Sequence, residues 1–242
     1  MLESIITTKN LIKTFGGQEV IKNCDLSVRQ GEIYGFLGAN GAGKTTVLKL
    51  IAGLLRPTAG EVTVMGMKYR ESREEILRNV GSLIEVPAFY DHLSARENLE
   101  IHLAYMGIQD ADIESALTRV GLPGTTNQPV AQFSLGMRQR LGIARAIIHK
   151  PKLLLLDEPI NGLDPMGIRD MRHLFLSLAR EDGMTLMVSS HILGEIKHIA
   201  DRVGVIAGGV VVREVAIPEL KQKHPEGLEE YFLDIMSGRA MS

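Results

Sequence analysis

The sequence predicts an α/β fold, a mostly parallel sheet covered by helices, with a β-rich first third and an α-helical insertion in the middle. Three observations carry this expectation. The first third shows the alternation of half-buried strands. The middle, roughly 86–150, turns to helical spacing. From Lys152 onward, apolar runs of buried-strand type alternate with helices again.

Cys24, Leu26 and Val28 alternate with Asp25, Ser27 and Arg29, as in a strand with one face covered. Gln30-Gly31 then punctuates the chain before a compact apolar run, Ile33–Leu37. Beyond a glycine-rich segment at 38–43, Val47, Leu48, Ile51 and Leu55 have helical spacing, and Pro57 and Gly60 end that helix. A short strand is expected at 61–65. In the middle, Ser94-Ala95-Arg96-Glu97 is a capping-box pattern ahead of Leu99, Leu103 and Met106. Ile113, Leu117 and Val120 mark a second helix closed by Gly121 and Pro123, and a third spans about 136–149. Leu153–Leu156 and 185–189 are buried-strand runs. Between them Asp164 is a natural N-cap with Pro165 at the first helical position, and Ile168, Met171, Leu174, Phe175 and Leu178 form the apolar stripe. Near the end, Leu228, Tyr231, Phe232 and Ile235 have the spacing of a packing helix.

At 242 residues with 45% apolar content, the chain can bury a substantial core. Its 27 basic and 29 acidic residues give a net charge of -2, which excludes a dominant nucleic-acid charge signature. A lone cysteine, Cys24, excludes an intramolecular disulfide framework and fits a reducing compartment. No stretch approaches the ~18 apolar residues of a membrane span. Met1-Leu2-Glu3-Ser4 lacks the start of a secretory signal, so a cytoplasmic location is expected.

Gly38-Ala39-Asn40-Gly41-Ala42-Gly43-Lys44-Thr45-Thr46 satisfies the G-x-x-x-x-G-K-[ST] pattern between a strand-like run and a helix. Glycines let successive backbone N–H groups converge on a phosphate, and the following helix points its positive end there. Lys44 can reach the β- and γ-phosphates and the Thr45 hydroxyl can meet Mg²⁺. The expected nucleotide contacts are therefore Asn40, Gly41, Ala42, Gly43, Lys44, Thr45 and Thr46. Leu153-Leu154-Leu155-Leu156-Asp157-Glu158 supplies carboxylates at a strand end. Asp157 suits Mg²⁺, and Glu158 suits orienting or deprotonating the attacking water.

Ahead of that strand lies Phe133-Ser134-Leu135-Gly136-Met137-Arg138-Gln139-Arg140-Leu141-Gly142. With this segment, the chain over about 3–215 resembles the ATP-binding subunit of ABC transporters, with that family's motifs in order. The resemblance implies a P-loop NTPase core at 1–85 and 151–215. An N-terminal antiparallel β subdomain, a helical subdomain at 86–150 and a short helical tail at 216–242 complete one domain. It also implies a head-to-tail dimer in which Ser134, Leu135, Gly136 and Met137 of one chain contact ATP held by Lys44 of the other. Ser134 as an N-cap gives that segment a physical basis, because the helix behind it presents N–H groups to an anion. Asn161-Gly162-Leu163-Asp164 resembles the loop coupling two nucleotide sites, with Asp164 its acidic member. His191 resembles the histidine that contacts the γ-phosphate, and Phe15, with Val20 beside it, falls where a ring stacks on adenine.

Two departures from the family pattern stand out. Leu135 and Met137 replace a glycine and a glutamine in the signature, and Glu85 stands where the family usually has a glutamine that touches Mg²⁺ and the membrane subunit. Glu85 keeps an oxygen ligand and adds a charge. Glu85 with the Ser134–Met137 segment resembles the bacitracin- and lantibiotic-type branch, whose members export antimicrobial peptides or confer self-immunity. What this implies is an ATP- and Mg²⁺-dependent motor subunit at the cytoplasmic face of the membrane. Its partners would be a second copy and transmembrane permease subunits, with no nucleic acid. A ribosome- or DNA-directed ATPase of the same family is the competing class, but such relatives usually carry two nucleotide domains or a long coiled-coil insertion. His191, Glu195 and His198 also admit reading as a helical metal cluster, which the nucleotide reading displaces.

Overall fold

The computed structural model describes residues 3–223 together with 230, 232 and 235. Strands β1 (Ser4–Phe15) and β2 (Gln18–Arg29) form an antiparallel hairpin, and β3 (Ile33–Leu37) leads through the glycine-rich loop into α1 (Lys44–Ile51). Next come β4 (Ala59–Val64), β5 (Met67–Lys68), α2 (Tyr69–Arg78) and β6 (Val80–Leu83). The helical segment is α3 (Ala95–Met106), α4 (Ile113–Arg119) and α5 (Leu135–Ile147). Then β7 (Leu153–Leu156), α6 (Pro165–Arg180), β8 (Thr185–Ser190), α7 (Leu193–Ile196), β9 (Arg202–Ala207), β10 (Val210–Ala216) and α8 (Ile217–Lys223) follow.

Two sheets result. The smaller has the order β2-β1-β4-β5 and its named pairs are antiparallel. The larger has the order β10-β9-β3-β8-β7-β6, parallel throughout except for the β9–β10 hairpin at its edge. The period of two along the central strands divides the core. Ile33, Leu37, Leu154, Leu156, Leu186 and Val188 face the helical segment, α6 and α7. Tyr34, Phe36, Leu153, Leu155 and Met187 face α1 and the smaller sheet. Glycines admit the closest approaches. A Cβ on Gly81 would sit 2.0 Å from the Ala146 carbonyl oxygen, so β6 lies directly against the backbone of α5.

Most expected elements are present, with adjusted ends. The capping box forms at Ser94 and Glu97, and Asp164 caps α6 with Pro165 in its first turn. The α6 stripe is buried from Met171 to Leu178, while Ile168 is half-buried. Leu55 lies outside α1, because Gly53 takes a left-handed φ of 68° and the Tyr69 ring packs against it. α2 and β6 are additions to the sequence reading. α2 is mostly charged with only Ile76 fully buried, so no apolar stripe announces it. Of the expected tail helix, Phe232 and Ile235 are buried, whereas Leu228 and Tyr231 lie outside the described residues.

Candidate nucleotide-hydrolysis site

The candidate residues gather at the carboxyl ends of adjacent parallel strands, where open α/β sheets bind ligands. The glycine-rich loop follows β3, Asp157 and Glu158 follow β7, and His191 follows β8. Gly41 and Gly43 have φ of 80° and 109°, a region glycine enters without strain. A Cβ on Gly38 would lie 2.6 Å from the Ile206 carbonyl oxygen, so the loop needs glycine to pass β9. Gly43 is the N-cap of α1 and, among the described residues, no side chain caps that helix. Its first-turn N–H groups are thus without a side-chain acceptor, which suits an anion.

Lys44 is buried, and its ammonium has three acceptors to match its three donors. It donates to the carbonyls of Gly38 (2.7 Å) and Ala39 (3.2 Å) and pairs with Glu158 Oε1 at 3.2 Å. The other oxygen of Glu158, Oε2, lies 2.9 Å from His191 Nδ1. One carboxylate thereby joins the end of β7 to the loop after β3 and to the residue after β8. Asp157 is divided in the same manner. Its Oδ2 accepts the Thr45 hydroxyl at 2.7 Å and its Oδ1 accepts Ser189 at 2.7 Å. A hydroxyl and a carboxylate already in contact form a hard, all-oxygen donor set of the kind Mg²⁺ takes.

Glu85 is 61% exposed, has a φ of 62°, and its Oε1 lies 2.6 Å from Lys49 Nζ, one helical turn beyond Thr45. The structure thus gives Glu85 a lysine partner within the chain. Phe15 is exposed at the end of β1 with the Lys13 ammonium 4.9 Å from its ring centroid, and Val20 is half-buried on β2. Thr46 lies in the first turn of α1, and Asn40 is exposed in the loop before it.

The segment 134–137 stands apart from this cluster. Ser134 caps α5 by accepting the Met137 N–H at 3.3 Å, and Leu135 is exposed. Among the described residues no hydrogen bond links Ser134 or Gly136 to Lys44, Thr45, Asp157 or Glu158 in the same chain. A Cβ on Gly136 would meet Leu163 at 3.3 Å, so the segment adjoins the 161–164 loop. The cations of α5 are tied down: Arg138 to Asp91, Arg140 to Asp170 and Val120 O, Arg145 to Ala88 O and over the Phe89 ring. The alternative cluster at His191, Glu195 and His198 does not share one helix, because α7 spans only Leu193–Ile196. Glu195 turns to the Ser190 hydroxyl, while His191 turns to Glu158.

Sequence reasoning passed over Lys49 and Ser189. The only signal for Ser189 is a serine pair, Ser189-Ser190, closing a buried strand just ahead of His191.

Comparisons with known proteins agree with this geometry. The family model described as ABC transporter matches residues 21–161. The bacitracin transport ATP-binding protein BcrA of Bacillus licheniformis is 48% identical over 94% of this chain and 75% of its own length. The lantibiotic transport ATP-binding protein SrtF of Streptococcus pyogenes is 41% identical over 94% of this chain and 96% of its own. A dimeric post-hydrolysis structure of the ATP-binding cassette MJ0796 with ADP and Pi superposes with a TM-score of 0.79 at 28% identity. That match covers 88% of this chain and 98% of the other. A matched model spanning more than half the chain, relatives above 40% identity and a phosphate loop facing paired carboxylates lead to one assignment: the chain belongs to the ABC transporter family and is one of its ATP-binding, ATP-hydrolysing subunits.

Proposed function

We propose that this ATPase drives export of an antimicrobial peptide of the bacitracin or lantibiotic kind, giving resistance or immunity. It would work as a head-to-tail pair on transmembrane permease subunits at the cytoplasmic face of the membrane. The names of relatives at 41–48% identity support the peptide class, and the dimeric cassette supports the pair. No described helix is long and apolar enough to cross a membrane; in this reading the permease subunits span the bilayer. We take residues 1–85 and 151–215 as the nucleotide core, 86–150 as the helical subdomain and 216–242 as the tail.

One observation carries the chemical part: the Glu158 carboxylate lies between Lys44 and His191, with a separate oxygen for each. In this reading the loop from Asn40 to Thr46 cradles the phosphates. Lys44 exchanges its present acceptors, Glu158 among them, for phosphate oxygens, which frees the Glu158 carboxylate from its ion pair. Glu158 then accepts the proton of the attacking water, with His191 orienting its carboxylate and meeting the γ-phosphate. Thr45 and Asp157 would hold Mg²⁺, with Glu85 at its margin. The ion would neutralise charge on the phosphate oxygens. Phe15 and Val20 would flank the adenine. Ser134, Leu135, Gly136 and Met137 would close over the partner's nucleotide, and Asp164 would pass the state of one site to the other. A two-state motor needs this differential binding between conformations.

Glu158→Gln should bind ATP, turn over little and accumulate as a dimer. Size-exclusion chromatography with and without ATP checks it, and a monomer under both conditions refutes the dimer. A strain carrying the wild-type chain with its permease should tolerate bacitracin or a lantibiotic better than one carrying Glu158→Gln. Equal tolerance would overturn the peptide reading.

A further inference from the structure

We propose that Ser189 is a positioning residue of the hydrolysis site, one hydroxyl that sets both the metal-side carboxylate and the catalytic carboxylate. Ser189 is fully buried at the end of β8. β7 and β8 run parallel in register, Leu156 opposite Val188, so the next residues on each strand, Asp157 and Ser189, emerge side by side. The Ser189 hydroxyl donates to Asp157 Oδ1 at 2.7 Å and accepts the backbone N–H of Glu158 at 2.9 Å. Its single hydrogen is therefore committed to one residue and a lone pair to the next.

Both contacts matter geometrically. Holding Oδ1 leaves Oδ2 aimed at Thr45. Glu158 has a φ of 48°, the sparsely populated left-handed region for a residue with a side chain, which persists only where its surroundings over-determine it. The bond from its N–H to Ser189 is one such determinant, and this backbone turn places the Glu158 carboxylate between Lys44 and His191. The neighbouring Ser190 cannot substitute. Its hydroxyl is taken by Glu195 Oε2 at 2.6 Å and by the Ile192 N–H at 3.0 Å. Removing the Ser189 hydroxyl would leave a buried carboxylate oxygen and a part-buried N–H each without this partner, while the phosphate loop keeps its own contacts.

The inference rests on the roles proposed above for Asp157 and Glu158, and its test separates the two. Ser189→Ala should lower kcat for ATP about 10- to 100-fold, the range for losing a hydrogen bond to a charged group. It should also raise the Mg²⁺ concentration needed for half-maximal nucleotide binding, while binding of a fluorescent ATP analogue without metal stays within about twofold. Ser189→Thr, which keeps the hydroxyl, should recover most of both losses. Wild-type kcat and Mg²⁺ dependence in Ser189→Ala overturn the proposal, as does a folded Ser189→Thr no better than Ser189→Ala. If Ser189→Ala does not fold, Ser189→Cys, close in shape with a weak donor, is read by the same criteria. Glu158→Gln is assayed alongside. Its retaining turnover would refute the assigned roles, whereas an inactive Glu158→Gln beside an unimpaired Ser189→Ala would refute the Ser189 inference alone.

Discussion

Glu85 shows how one residue departs from a family pattern without emptying its place. Its carboxylate meets Lys49, whose helix begins at the phosphate loop, so the added negative charge has a positive neighbour 2.6 Å away. The pair is largely exposed on the Glu85 side, and such pairs contribute about 1 kcal/mol or less. Nucleotide binding therefore should not depend on it. Glu85→Gln is expected to leave ATP affinity within about twofold, since only this exposed pair is lost, and to alter peptide transport more than ATP binding. Titration with a fluorescent ATP analogue checks the first part; a loss above about tenfold would make Glu85 a primary ligand. The phosphate loop was legible because its nine residues are contiguous and each glycine has a stated backbone purpose. Lys49 and Ser189 were not, because their partners lie 36 and 32 positions away and only the fold joins them.

Among the elements, α3 and the turn that follows α5 carry a titrating pair that no motif announced, His102 on the helix and His149 just past the end of α5. The rings of His102 and His149 meet at a tilt of 59° with centroids 5.6 Å apart, and among the described residues His102 Nε2 and His149 Nδ1 are buried with no hydrogen-bond partner. His149 Nε2 lies 3.3 Å from the Val80 carbonyl oxygen. Burial disfavours the charged form of both rings. His102 is brought from 6.5 to about 4, with the charges of His149 and Arg145 adding to the burial effect. His149 moves the same way, again mainly through burial. The unfolded chain then binds more protons than the folded one below pH 6.5, so both rings cost stability as the pH falls below 6.5, His102 doing so down to about 4. Glu32, raised by burial, acts in the opposite sense near its own range. The His102 contribution is isolated by comparing variants. Urea midpoints should drop between pH 7 and pH 5 in the wild type and drop less in His102→Leu; equal slopes would remove His102 as the source. Local signals made α3 and α5 readable, the Ser94 capping box and the Ser134 cap, but the stacking of one helix on the other is a tertiary fact.

For the whole molecule, the open question from sequence was how the antiparallel sheet is held over the parallel one. The apolar runs of β3, β7 and β8 announce strands of buried type, but neither the strand order nor the β9–β10 edge follows from local pattern. The structure supplies a polar tie as well as apolar packing. Tyr34 on β3 is fully buried, and its Oη donates to Glu214 Oε1 on β10 at 2.6 Å. The same oxygen accepts the Ser27 N–H of β2 at 3.5 Å, so one carboxylate touches both sheets. Gly204 on β9 makes the space, since a Cβ there would lie 2.0 Å from the Tyr34 oxygen. Burial and the Glu214 charge push the Tyr34 phenol well above its ordinary range, which keeps it a donor across neutral and mildly alkaline pH. Tyr34→Phe removes that donor with little change of shape and leaves a half-buried carboxylate with weaker support. The loss should be about 1.5 kcal/mol, the lower end for a hydrogen bond to a charged group because Glu214 retains solvent contact. Urea unfolding should show a lower midpoint with an unchanged slope, the mark of altered stability without altered compactness. Glu214→Gln, which keeps an acceptor but no charge, should fall between Tyr34→Phe and wild type. An unshifted midpoint in Tyr34→Phe would mean that apolar packing alone holds the sheets together.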